Sequence, residues 1–142
     1  MAALPIPRFR GGDGSRMILN DPEVVAEVTA AFMEYERALM ADDIPAMDRL
    51  FHDSALTVRY GVGEVLYGIE EIREFRKGRG GSPQRALGRV AIATYGRDFA
   101  TANAEFFREG STRRGRQSQA WVRFPDGWKV VSAHVSLEGS TS

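Results

Sequence analysis

The chain has no cysteine, two histidines, two lysines and no long apolar run, and each shortage removes a class of function. Without cysteine there are no disulfides, thiolate nucleophiles or thiolate-held zinc or iron–sulfur centres. His52 and His134 stand far apart with no metal-binding spacing, so no metal site is expected from them. No apolar stretch approaches the length of a membrane span. Gly-x-Ser-x-Gly is absent, which excludes the nucleophile elbow of a serine hydrolase. Arg79-Gly80-Gly81-Ser82 is rich in glycine but lacks the strand before and helix after that a phosphate-cradling loop needs. A formal net charge of zero gives no basis for a nucleic-acid or acidic-membrane partner.

What is present is ordinary in amount and uneven in kind. With 142 residues, 43% apolar and 27% charged, the chain suits one globular domain with a real core. Met1 to Met17 carries Pro5, Pro7 and a Gly-Gly-Asp-Gly cluster and reads as a flexible arm rather than a signal peptide. The expected division is this arm at 1–17, a single domain at 18–137 and a tail at 138–142, in a cytoplasmic protein. Of 19 basic residues only Lys77 and Lys129 are lysines. A GC-rich genome accounts for that bias, although arginine also suits planar carboxylates better than lysine does.

Helices come first. Asp21 is a natural N-cap with Pro22 and Glu23 behind it, and Val25, Val28, Phe32, Tyr35 and Leu39 form one apolar stripe. A second helix runs from Ile44 to Phe51, and a third from Ile69 to Lys77, ended by the loop Gly78–Pro83. Strands follow at Arg85–Tyr95, Phe99–Arg108, Arg116–Phe124 and Trp128–Leu137, the last two joined by Pro125-Asp126-Gly127. Helices followed by a long antiparallel meander indicate an α+β fold, with helices covering a strongly curved sheet that closes into a cone with an internal pocket.

The most informative segment is Val58-Arg59-Tyr60-Gly61-Val62-Gly63-Glu64-Val65, two short strands around a glycine turn. Arg59 lies in the first of them, and a buried cation persists only beside a carboxylate. That partner is either Glu64, which makes the arginine structural, or a ligand. Tyr35 places a phenol in an apolar stripe, where its hydroxyl needs a partner. An arginine fork beside a phenol can hold a planar carboxylate and deliver a proton. Arg76 shares a helix side with Ile72 and Phe75; it reaches either the pocket mouth or an acidic neighbour. His134 alternates with Ser132 and Ser136, opposite Val131, Ala133 and Val135. On the preceding strand Gln117, Gln119 and Trp121 oppose Arg116, Ser118, Ala120 and Val122. Either Gln119 with Trp121, or Ser118, binds ligand, according to which face looks inward. Asp98 and Glu105 are poor candidates for a buried base, since they sit in a turn and an ordinary strand.

With elements in this order the chain resembles the nuclear transport factor 2-like (SnoaL-like) superfamily, and within it the AtzH-like group that includes oxalurate-catabolism proteins. The resemblance rests on Asn20 to Val28 with Phe32 and Tyr35, on Thr57 to Glu64, on Gly96-Arg97-Asp98-Phe99-Ala100, on Gly115 to Arg123 and on Gly127 to Ser136. It implies a cone-shaped α+β barrel, a homodimer, no cofactor, and an association with amidases of the amidase-signature type. The implied activity is removal of a carboxyl group from a carboxylated urea, such as 1,3-dicarboxyurea going to allophanate. The implied catalytic residues are Tyr35 and Arg59. Arg76, Ser118, Gln119, Trp121 and His134 are the substrate-binding candidates for a small anionic nitrogenous substrate. The alternative is a non-catalytic binding protein or accessory partner of an amidase.

Overall fold

The computed structural model describes residues 8–10 and 16–139. Helix α1 (Pro22–Ala41) begins where the sequence signals it: the Asp21 side chain accepts the Glu23 N–H at 3.0 Å, and Pro22 stands at the first turn. It ends at Asp42, which takes the left-handed conformation. Val24, Val28, Phe32, Tyr35, Ala38 and Leu39 face the core; Val24, rather than Val25, leads the stripe, and Glu36 is buried with it. Helix α2 (Ile44–Leu50) is capped by Asp43, whose side chain accepts the Ala46 N–H.

Helix α3 (Ile69–Arg79) runs two residues beyond the expected end at Lys77. Gly78 is accommodated inside the last turn, and the chain leaves the helix at Gly80, whose φ of 71° is open to glycine at no steric cost. The extra residues matter because they carry Arg79 on the helix rather than on a loop.

Strands β1 (Arg8–Arg10) and β2 (Arg16–Ile18) pair antiparallel within the span expected to be a flexible arm. The rest of that span, at 1–7 and 11–15, lies outside the described residues, as do 140–142 of the tail. Leu19 continues from β2 to bridge Tyr95.

The main sheet holds β3 (Val58–Tyr60), β4 (Val65–Tyr67), β5 (Arg85–Tyr95), β6 (Phe99–Arg108), β7 (Arg114–Phe124) and β8 (Gly127–Leu137), in the order β4-β3-β8-β7-β6-β5. The expected all-antiparallel meander describes β5 to β8 but not the whole sheet, because β3 pairs with β8 in parallel, Arg59 opposite Ala133. The meander of four long strands ends at β8, whose other edge is taken by the β3–β4 hairpin from earlier in the sequence.

The concave face packs against the helices. Ala100, Ala102 and Ala104 of β6, Trp121 of β7 and Val130 and Ala133 of β8 meet Val24, Val28, Phe32 and Leu39 of α1 and Met47 of α2. Phe32 and Trp121 each contribute roughly 1.5–3 kcal/mol by burial. Two irregularities re-aim side chains: one between Leu87 and Val90 in β5, the other where Val131 is extra opposite Ala120 and Trp121. The second turns both Val130 and Ala133 inward, which simple alternation forbids. No helix among the described residues is long and apolar enough to cross a membrane.

Candidate functional site

Under α1 the curved sheet leaves a small recess, partly open to solvent, with about 50 Å³ for the centres of water molecules. Its wall combines Tyr35 and Leu39 of α1, Arg59 of β3, Arg79 at the end of α3, Ser82 and Pro83 of the next loop, and Arg85, Arg108, Gln117, Gln119, Ala133 and Val135 of the sheet.

Four arginines line this cavity and none of the lining residues is acidic. Two of them are matched from behind. Arg59, buried, pairs with Glu64 through Nη1 at 2.5 Å. Arg85 donates Nε and Nη2 to the two oxygens of Glu36 at 3.0 and 2.6 Å, and Nη2 also reaches Gln117 Oε1 at 2.9 Å. Its guanidinium lies over the Phe106 ring at 4.3 Å. Arg79 has no such carboxylate among the described residues, and its buried Nε has no hydrogen-bond partner. Burial, reinforced by the like charge of Arg59, lowers the Arg79 pKa from its ordinary value. Arg59 and Arg79 both sit 5.4 Å from the centre of the Phe75 ring. The site is a cationic, donor-rich recess, suited by charge to a small anion.

Tyr35 lies in the wall with its ring 5.5 Å from that of Phe51. Its hydroxyl takes part in no side-chain hydrogen bond among the described residues, which leaves it available to whatever the cavity holds. Gln119 is buried and accepts the Trp121 Nε1–H at 3.0 Å. That bond turns Trp121 into a fully buried support for Gln119, and the tryptophan does not line the cavity.

The remaining candidates lie elsewhere. Arg76 turns to α2, where Nη1 donates to Asp48 at 2.8 Å and the guanidinium lies 4.3 Å over the Phe51 ring; the acidic neighbour has won over the pocket mouth. Ser118 and His134 are exposed on the opposite sheet face, Ser118 bonded to Asn103 and His134 edge-on to Tyr60. They share that face with Thr101 and Ser132, not with Tyr35 and Arg59.

Sequence reasoning did not single out Arg79, Arg85, Arg108, Gln117 or Glu36 for roles in the cavity. One signal was present for Glu36: it falls four residues after Phe32, on the buried stripe of α1. Among the described residues no group of three His, Cys, Asp or Glu side chains is placed to hold a metal.

Solved structures similar to this chain include a protein of unknown function from Pectobacterium atrosepticum, 53% identical, with a TM-score of 0.83, covering 85% of this chain and 95% of that one. A cystatin-like fold protein from Burkholderia xenovorans is 48% identical, with a TM-score of 0.84, covering 88% of this chain and 99% of that one. A nuclear transport factor 2-like protein from Pseudomonas putida, at 14% identity and a TM-score of 0.71 over 86% of this chain and 92% of its own, shares the fold alone. No curated protein matches the chain significantly. The AtzH-like family model matches residues 17–141, and the chain, an α+β fold with a curved sheet, belongs to the AtzH-like family.

Proposed function

We propose that the cavity binds a small nitrogenous carboxylate of the carboxylated-urea kind and releases its N-carboxyl group as carbon dioxide. The observation that carries this reading is Tyr35, whose hydroxyl makes no side-chain hydrogen bond among the described residues, in the same wall as a set of guanidiniums. A carboxylate attached to nitrogen leaves when that nitrogen gains a proton: the C–N bond breaks, its electron pair stays on nitrogen, and carbon dioxide departs. For 1,3-dicarboxyurea, a dianion and one proton give allophanate and carbon dioxide. Such a reaction needs a proton donor and charge complementarity rather than a nucleophile. Tyr35 supplies the proton and recovers it from water, while Arg59 holds the departing carboxylate by its fork. Gln119, fixed by Trp121, orients the urea core.

The test is the rate of allophanate formation from freshly generated 1,3-dicarboxyurea, corrected for spontaneous decay. Acceleration by the wild type, lost in Tyr35→Phe and Arg59→Met, supports the reading. A rate at background for the wild type removes it.

The Arg59–Glu64 pair favours a second reading, because an arginine already matched internally need not take part in chemistry. In that case the cavity binds its anion without turning it over, as an accessory to an amidase. Tyr35→Phe then leaves anion affinity intact, and neither protein accelerates the reaction.

A further inference from the structure

Three donors on residues lining the cavity lack an acceptor among the described residues: Arg79 Nε, Ser82 Oγ and Gln117 Nε2. An unmatched buried donor is costly, so three together mark a place built for something absent. Gln117 is only 3% exposed, and its orientation follows from its neighbours. Its carbonyl oxygen must face Arg85, a pure donor, and Arg85 is itself held by both oxygens of Glu36. The amide nitrogen is thereby left as the free end. Arg79 adds an unmatched cation, and the φ values at Gly80 and Gly81 turn the chain so that Ser82 follows it into the same wall.

We infer that Arg79, Ser82 and Gln117 form a second anion subsite, distinct from the Arg59 end of the cavity, which holds the second carboxylate of a dianionic substrate. This rests on the reading that the cavity takes carboxylates, and it assigns the two ends different work. The Tyr35–Arg59 end meets the group that leaves, and the Arg79 end anchors the group that stays. Phe75 lies against both guanidiniums, each 5.4 Å from its ring centre. A short dicarboxylate therefore fits the charge pattern better than a monoacid. The chain Glu36–Arg85–Gln117 acts on the substrate only through the amide it orients, so Glu36 and Arg85 are positioning residues for this subsite.

The probe is glutarate, a stable diacid with three atoms between its carboxyl carbons, compared with glutaramate, in which an amide replaces one carboxylate. Affinities are measured by titration calorimetry on the wild type, Arg79→Gln and Gln117→Glu, with thermal unfolding as a check that each variant is folded. Arg79 is half-buried and uncompensated, so its loss leaves the fold intact. The wild type is expected to prefer the diacid by about tenfold or more, the value of one charge-assisted contact. In both variants the preference falls towards one, with glutaramate affinity little changed. An undiminished preference in folded Arg79→Gln overturns the subsite. So does a wild type that favours neither ligand or binds neither. Turnover of 1,3-dicarboxyurea is scored separately. A preference that depends on Arg79 without turnover sinks the decarboxylation and keeps the subsite; turnover with a preference indifferent to Arg79 does the reverse.

Discussion

The Glu64 carboxylate lies over Gly61, in the space a side chain there would fill, and from that position it closes on Arg59. The turn holds it: Gly61 N–H donates to the Glu64 carbonyl at 2.9 Å, and Gly63 N–H to Glu64 Oε2 at 3.2 Å. The glycine spacing in Gly61-Val62-Gly63-Glu64 thus serves charge neutralisation as well as the turn. Gly61→Ala is expected to displace the carboxylate and strand Arg59. The loss of stability is about 1–3 kcal/mol, less than for a fully enclosed pair because Glu64 keeps some contact with water. Glu64→Ala should cost a similar amount in urea denaturation, and the double variant little more than either alone. Additive losses would mean that Gly61 acts through the backbone instead.

The Glu36–Arg85 pair is more enclosed, with side-chain exposures of 9% and 5%. Removing one partner leaves a charge with nowhere to go, so Glu36→Gln should destabilise by about 3–5 kcal/mol. Replacing both, as Glu36→Leu with Arg85→Met, should recover most of that loss in chemical denaturation. Anion affinity should stay low in the double variant, since nothing then orients the Gln117 amide.

How far the sequence announced this site depends on which forces are local. Asp21-Pro22, Pro125-Asp126-Gly127 and the spacing of Val28, Phe32, Tyr35 and Leu39 act within a few residues, and helix, hairpin and buried phenol follow from them. The parallel contact of β3 with β8 does not, because it joins segments some seventy residues apart and no local pattern encodes which edge is free. Face assignments failed to follow from alternation where a bulge intervenes. The irregularity after Leu87 separates Arg85 from the inward set of Ile92 and Thr94 by an odd number of positions. Arg79 was hidden by Gly78, which resembles a helix stop but is passed over when the left-handed residue two positions later supplies a better exit. Glu64 was visible as a partner for Arg59, because the turn that joins their strands is short.

Acid should weaken the N-terminal cap of α2. Hydrogen bonds from the Arg37 side chain and the Ala46 N–H lower the Asp43 pKa from its usual 3.8. A folded-state pKa below the unfolded one stabilises the protein above the unfolded value, and the contribution disappears as pH falls through the folded value. Asp43→Asn keeps an acceptor for Ala46 but loses the ion pair to Arg37. Its melting temperature should lie slightly below that of the wild type near neutrality and converge with it below the carboxylate range. Because the pair is exposed, added salt should shrink the gap at neutral pH as well. A gap that survives at low pH would assign the effect to capping geometry rather than charge.

Phe106 of β6 fills the space above Gly115, its cross-strand partner on β7, so completely that a methyl group at Gly115 would enter the ring. The same ring supports the Arg85 guanidinium, which orients Gln117. Gly115→Ala should therefore act twice. Forcing a fully buried ring from its place should cost about 1–3 kcal/mol in urea denaturation. The displaced ring should also tilt Arg85 and loosen the amide, lowering the preference for a diacid over its monoamide although Gly115 touches no ligand. Gly88→Ala is the control, since a methyl there meets Glu105 at ordinary contact distance, and stability should change by no more than about 0.5 kcal/mol. If Gly115→Ala lowers stability but leaves the diacid preference untouched, the ring is a packing element only, and Arg85 keeps its place through Glu36 alone.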